Sequence, residues 1–170
     1  MVICDCIEWD IKLIGGENMN NQIFIGIDPG ATGAIAFIDS DNHVDIFDFD
    51  DGEAMLRLKK LWRMDMMMMA VIEKVGAMPK QGVVSTFKFG VNFGQWIGRL
   101  EALDVPFDFV TPQKWKKAMF DSMPKYDPKE MSRDRAWRLF PQAAELLKRK
   151  KDHNRAEALL LAEYARVTDK

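Results

Sequence analysis

Residues 22–39 read QIFIGIDPGATGAIAFID and predict the first part of a β-sheet. The first seven residues of this stretch are almost continuously apolar and end in Asp28, a pattern typical of a strand buried on both faces. Gly30 and Gly33 follow within five residues and suit a tight turn. An apolar run then resumes at residues 34–38. Two strands therefore meet at this turn, and an acidic residue ends the first of them.

The rest of the chain predicts further strands that alternate with amphipathic helices. Residues 44–49 alternate apolar and acidic side chains, so a third strand follows closely and an antiparallel meander results. The remaining predicted elements are strands at 66–72 and 107–110, helices at 51–63, 83–103, 132–140 and 152–167, a helix capped by Thr111 with Pro112 at its first position, and a polar loop at 121–130. This order predicts one α/β domain with a mixed sheet and helices on its faces.

The first 18 residues lack a periodic pattern, and Met19 offers a second start. We therefore predict that residues 1–18 are a disordered or mis-assigned extension and that residues 19–170 form the domain. Cys4 and Cys6 are the only cysteines, and their spacing suits neither a disulfide framework nor a complete zinc site. A cytoplasmic location is the resulting expectation. No apolar run approaches the roughly 20 residues of a membrane span.

Charge is distributed unevenly along the chain. The net charge is -2, yet residues 111–155 hold 13 Lys and Arg against 6 Asp and Glu. A basic segment of this kind indicates either a nucleic-acid contact or a solvated helical face.

Two acidic residues each end a buried strand. Asp28 ends the first strand and Glu73 ends the strand at 66–72. If these strands are neighbours, the two carboxylates meet at one end of the sheet, where they repel each other unless a cation binds. Oxygen ligands of this kind suit Mg²⁺ or Mn²⁺. Either residue could instead serve as a turn residue or a helix cap.

The last predicted helix supplies further candidates. Its sequence opens polar and becomes apolar, and Glu157 lies at the edge of the apolar face. His153 shares a face with Glu157 because the two are four residues apart. Asp152 could reach the same site from the first turn, or it could cap the helix.

Three segments together resemble the RuvC-type Holliday junction resolvases, in particular their phage and organellar relatives. They are IGIDPGATGAIA at 25–36, VIEK at 71–74 and DHNRAEALLLA at 152–162. The resemblance covers about residues 22–166. It implies an RNase H-like fold with a five-stranded sheet, a homodimer, and cleavage of four-way DNA junctions with two Mg²⁺ or Mn²⁺ ions per site.

The resemblance also implies the ligands of the metal ions. Asp28, Glu73 and Glu157 match the acidic residues of the family's motifs. Many relatives carry an Asp or a His three residues before the last acid, where this chain has Asn154. We therefore expect Asp152 as the fourth ligand, with His153 as the alternative. The two ions would activate a water for in-line attack and stabilise the leaving oxygen.

Basic and aromatic residues provide the expected DNA contacts. Phosphate contacts by Lys and Arg carry little sequence information, so the shape of branched DNA would be recognised. Phe87 could insert between bases or pack in the core. The glycines at 90, 94 and 98 form one smooth helix face, for a dimer or for helix–sheet packing. The expected DNA contacts are Lys80, Gln81, Phe87, Lys114, Lys116, Lys117, Lys125, Lys129, Arg133 and Arg135.

Three other functions fit parts of the pattern. DPGATG resembles the phosphate-binding turn of actin-like and sugar-kinase-like ATPases, but 170 residues do not supply the second domain that they need. We therefore expect no nucleotide cofactor. A non-catalytic DNA-binding protein on the same fold is a second alternative, because of Asn154. A related nuclease that acts on flaps, forks or RNA–DNA hybrids is the third.

Overall fold

The structure is a computed structural model. It describes residues 22–30, 32–49, 52–74, 76, 82–121, 123–124 and 126–169. The extension predicted at residues 1–18 and the expected DNA contacts Lys80, Gln81 and Lys125 lie outside the described residues.

Five strands form one mixed sheet. They are β1 (Gln22–Asp28), β2 (Ala34–Asp39), β3 (Val44–Asp48), β4 (Met67–Glu73) and β5 (Phe107–Val110). Their order in the sheet is β3-β2-β1-β4-β5. The first three strands form the antiparallel meander, while β4 and β5 run parallel to β1. The predicted α/β architecture and its meander are confirmed.

Helices cover both faces of the sheet. They are α1 (Gly52–Arg63), α2 (Val83–Glu101), α3 (Pro112–Met119), α4 (Pro128–Leu139) and α5 (His153–Thr168), with short 3₁₀ helices at Pro141–Leu147 and Lys150–Asp152. One core cluster lies between the sheet and α1 and α2, and a second lies between the sheet and α3, α4 and α5. Both faces of β1 are therefore buried, as its continuous apolar run predicts.

Helix α5 lies unusually close to the centre of β1. A Cβ atom built on Gly26 would lie 2.1 Å from the carbonyl oxygen of Ala158 and 2.2 Å from the amide nitrogen of Ala162. Only a residue without a side chain permits this approach of strand to helix backbone. The approach brings the first turns of α5 to the end of β1.

Two local predictions were wrong. Helix α4 begins at Pro128, inside the predicted polar loop, because Asp127 accepts hydrogen bonds from the amides of Lys129 and Glu130 and Pro128 suits the first helical position. The side chain of Thr111 makes no capping hydrogen bond to α3.

The glycines of α2 are exposed. A Cβ atom built on Gly90, Gly94 or Gly98 would meet nothing within 4 Å. This rejects packing of that face against the sheet and leaves the dimer as the prediction. Among the described residues, no helix is long and apolar enough to cross a membrane.

Candidate active site

Asp28 and Glu73 lie side by side at the carboxyl ends of two parallel strands. Ile27 of β1 pairs with Ile72 of β4, so the two acids are the next neighbours in register. Side chains alternate between the two faces of each strand. Asp28 and Glu73 therefore point to the same face as Val71, which is the face that α3 and α5 cover. Both acids are buried, with 7% and 6% of their surface exposed. The predicted meeting of these carboxylates at one sheet end therefore follows from strand order and register.

The turn after β1 holds Asp28 in place. Asp28 accepts a hydrogen bond at Oδ1 from the amide of Gly30, 3.0 Å away. A Cβ atom built on Gly33 would lie 2.0 Å from the carbonyl oxygen of Asp28, so the turn folds tightly back onto the acid. Asn92 of α2 donates to the carbonyl of Gly30, and Asn154 of α5 donates to the carbonyl and hydroxyl oxygens of Thr32. Two helices thus fix the turn.

Glu157 joins the two strand acids from α5. Its Oε1 accepts hydrogen bonds from the ammonium of Lys116 at 3.0 Å and from the hydroxyl of Ser132 at 3.1 Å. The indole nitrogen of Trp115 donates to Oε1 of Glu73 at 2.8 Å. Helices α3 and α4 therefore orient two of the three carboxylates.

Burial and mutual repulsion perturb the strand acids. Burial is the main cause that raises the pKa of Asp28 to about 7. The Gly30 amide opposes this, Glu73 and Glu157 raise the pKa further, and the Lys116 ammonium lowers it. Burial likewise raises the pKa of Glu73 above its ordinary value, against the hydrogen bond from Trp115. The site concentrates negative charge that the protein offsets only in part, mainly through Lys116.

Three residues of this site differ from the sequence predictions. Lys116 was expected to contact DNA, but its ammonium pairs with Glu157. Trp115 was not identified, although a buried indole N–H needs an acceptor and so gave a signal. Ser132 was not identified either, and nothing in the sequence distinguishes it from any other helical serine.

Asp152 makes a different set of contacts. It is 4% exposed and accepts hydrogen bonds from the amide, Nε and Nη2 of Arg149. Burial works to raise the pKa of Asp152, but these bonds outweigh it and hold the pKa below its ordinary value. Arg149 and Arg155 are its main charged neighbours, whereas Asp28, Glu73 and Glu157 act on one another. These contacts argue against Asp152 as the fourth ligand.

The other candidates for the fourth position are also engaged. His153 contacts the carbonyl oxygen of Lys150 through Nδ1, at 3.3 Å. Asn154 donates hydrogen bonds to Thr32, in the turn that follows Asp28. The expectation for His153 therefore stays a prediction.

The expected DNA contacts divide into two groups. Lys114, Lys117 and Lys129 are exposed, and Phe87 is 72% exposed, which rejects core packing for that ring. Arg133 is buried, and its guanidinium donates to the carbonyl oxygens of Leu147 and Lys148. These contacts argue against Arg133 as a DNA contact.

The three carboxylates suit a hard cation by their chemistry, although they are not arranged around a common point. Asp28, Glu73 and Glu157 offer carboxylate oxygens, which Mg²⁺ and Mn²⁺ prefer. Within the described residues, no three His, Cys, Asp or Glu side chains form a ready metal site. Lys116 partly compensates the negative charge there. The residues therefore fit a divalent cation by their chemistry and charge.

Sheet order, strand direction and helix placement together define the RNase H-like α/β fold. Within it, the chain has the fold of RuvC from T. thermophilus. It is similar to the structure of that RuvC in complex with a Holliday junction substrate, with a TM-score of 0.54 and 18% identity over 86% of this chain and 96% of the other. It is also similar to a further Thermus thermophilus RuvC structure, with a TM-score of 0.53 and 19% identity over 85% and 96% of the two chains. No protein-family model and no curated protein matches the sequence.

Proposed function

We propose that this protein is a divalent-metal-dependent endonuclease that cleaves four-way DNA junctions. One observation carries the proposal: Asp28 and Glu73 are buried side by side and Glu157 joins them from α5. Placing three mutually repelling carboxylates together, two of them buried, is unfavourable unless a cation binds them. Clusters of this kind are characteristic of functional sites.

Each residue of the site has a defined task in this proposal. Asp28, Glu73 and Glu157 would hold two Mg²⁺ or Mn²⁺ ions. When bound, these ions would make a water nucleophilic at neutral pH and stabilise the charge on the leaving oxygen. Trp115 and Ser132 fix the rotamers of Glu73 and Glu157 through their hydrogen bonds.

The fourth ligand remains a prediction. Asp152 could serve only after leaving Arg149, with which it shares four hydrogen-bond contacts. His153 and Asn154 are the other residues near that position. We propose three ligating carboxylates and assign the fourth position to none of these side chains.

Branched DNA is the proposed partner. The similar RuvC was solved with a Holliday junction substrate. Exposed Lys114 and Lys117 lie on α3, the helix whose Lys116 reaches Glu157, so they are placed to contact phosphates beside the acids. Lys129 is a further exposed candidate on α4.

A substrate panel tests this proposal. The protein is incubated with a labelled four-way junction, a linear duplex, a flap, a fork and an RNA–DNA hybrid, with Mg²⁺, Mn²⁺ or EDTA. We expect cleavage of the junction in preference to the duplex, and none in EDTA. Preference for the flap, fork or hybrid would favour a related nuclease. Tight junction binding without cleavage would favour the non-catalytic alternative.

We also propose that α2 mediates a homodimer. Val84, Phe87, Val91, Gly94 and Gly98 recur alternately three and four residues apart, which is the spacing of a helix-pairing seam. All five are exposed, with Val84 and Phe87 70% and 72% accessible. Glycines in such a seam let two helix backbones approach closely. Pairing would cover the apolar residues and bring two active sites to one junction.

Gly94→Glu tests the dimer. In an isolated chain this change lies on an exposed helix surface with open space, so it would be tolerated and could gain about 0.5–1 kcal/mol from loss of glycine flexibility. In a dimer it places charge inside the seam, and we expect conversion to monomers in sedimentation velocity. Ser85→Glu, an exposed position on the opposite side of the same helix, is the matched control. Equal sedimentation of both variants and the unsubstituted protein would contradict the proposed interface.

A further inference from the structure

A second basic surface lies next to the acidic site, on the side opposite to Lys116. Residues 148–151 read Lys-Arg-Lys-Lys and lead directly into α5. All four are exposed. They are not among the DNA contacts expected from the sequence.

Two of these residues border an open cavity of about 400 Å³. Arg149 and Lys151 line it, together with Thr32 and Gly33 of the turn that follows Asp28 and with Asn154 of α5. Gly33 packs against the backbone of Asp28, so a residue that lines the cavity directly contacts a residue of the proposed site.

The cavity has positive charge available for a ligand. It also contains two carboxylates, but each is already paired. Asp48 accepts hydrogen bonds from Nε and Nη2 of Arg155, at 2.6 and 2.7 Å. Asp152 is paired with Arg149, whose side chain is still 55% exposed. A guanidinium carries five N–H donors, so this pairing leaves Arg149 donors for a second acceptor.

Strand order places the two basic surfaces on opposite flanks of the acids. At the carboxyl ends of β1 and β4 lie Asp28 and Glu73, with β5 and α3 beyond Glu73. On the other side lies Asp48 at the end of β3, which bonds Arg155. Two strand spacings, about 10 Å, separate β3 from β1. A DNA strand that crosses the acids would meet cations on both sides.

We propose that Arg149, Lys150 and Lys151 form a phosphate-binding surface for the DNA strand that is cut. This inference rests on the proposed nuclease function. Asp152 is then a positioning residue: its hydrogen bonds to the amide and guanidinium fix Arg149 at the rim of the cavity. This role accounts for the burial of Asp152 away from the other three acids.

Salt dependence of junction binding tests this surface. Affinity of the Lys150→Gln/Lys151→Gln variant for a labelled four-way junction is measured in EDTA from 50 to 200 mM salt. The slope of log K against log salt is negative. Each phosphate contact that the variant no longer makes reduces the magnitude of this slope by about 0.9. When the salt concentration rises fourfold, the affinity of the variant should therefore fall by a factor about fourfold smaller, for each lost phosphate contact, than the affinity of the unsubstituted protein. Lys59→Gln/Lys60→Gln on α1 removes the same charge and should leave the slope unchanged.

A second comparison isolates Asp152. Asp152→Asn should reduce the slope as Arg149→Gln does, and the double variant should match either single one, because both changes remove the same phosphate contact. The Mg²⁺ concentration for half-maximal cleavage should stay unchanged in Asp152→Asn. A shifted Mg²⁺ requirement with an unchanged salt slope would overturn the positioning role.

The outcomes separate this inference from the proposed function. If the unsubstituted protein binds and cleaves the junction but the lysine variant has the slope of the α1 control, the phosphate-binding surface is wrong and the nuclease remains. If the unsubstituted protein binds no DNA, both are wrong.

Discussion

Asp28→Asn is expected to raise the melting temperature of the metal-free protein at pH 8. The pKa of Asp28 is about 7 in the folded protein, against an ordinary value of 3.8. The folded state therefore binds the proton more tightly, and stability falls as the pH rises from about 4 to 7. The difference between these two pKa values corresponds to about 4 kcal/mol of stability, which is fully lost above pH 7. Asparagine keeps an acceptor for the Gly30 amide and carries no charge.

The expected gain in melting temperature is on the order of 8–16 °C, since 1 kcal/mol moves the melting temperature of a protein of this size by about 2–4 °C. At pH 4 the two proteins should melt much closer together, because Asp28 is then protonated. Asp41→Asn in the exposed turn between β2 and β3 is the control and should change little. An Asp28→Asn variant that melts below the unsubstituted protein at pH 8 would show that the buried charge of Asp28 does not destabilise the metal-free protein.

Gly26→Ala is expected to destabilise the protein by more than any substitution of an exposed glycine. The added Cβ would overlap the backbone of α5 at Ala158 and Ala162, at 2.1 and 2.2 Å. Backbone atoms of a buried helix cannot move aside as a flexible side chain can, so the helix must shift. Overpacking of this kind costs about 1–3 kcal/mol and sometimes more. We expect at least about 3 kcal/mol by urea denaturation, or failure to fold.

Gly90→Ala is the matched control for this prediction. Gly90 lies on α2 with open space around its Cβ position. The same substitution there should be neutral or stabilise by about 0.5–1 kcal/mol. Equal urea midpoints for Gly26→Ala and the unsubstituted protein would show that α5 does not approach β1 as described.

Much of the fold could be predicted because its signals are local. The apolar run of β1, the glycine turn after it and the alternation in β3 each act within a few residues, and the meander follows from them. The start of α4 was missed because the polar residues 121–130 resemble a loop. Asp127 and Pro128 carried the capping signal within that stretch.

The candidate site also combines residues that local signals predict with residues that they do not. The grouping of Asp28, Glu73 and Glu157 could be predicted from strand ends, helix context and motif. Their hydrogen-bond partners could not, because Trp115 and Lys116 are separated from the acids that they contact by 42 and 41 residues. Asp152 was expected at the acids because it is near the motif and Asn154 is a weaker ligand. The sequence does not show that Arg149, three residues earlier, binds Asp152.

Cleavage of a four-way junction by Asp28→Asn and by the unsubstituted protein tests the central claim most directly. Both are compared in single-turnover reactions with saturating protein and about 10 mM Mg²⁺. This concentration exceeds the dissociation constants of weak divalent-cation sites, which are about 0.1–1 mM. We predict that the unsubstituted protein cuts the junction and that Asp28→Asn, although folded and able to bind it, is slower by about a hundredfold or more, equivalent to roughly 3 kcal/mol of lost transition-state stabilisation. Equal cleavage rates for the two proteins would show that Asp28, Glu73 and Glu157 are not the active site.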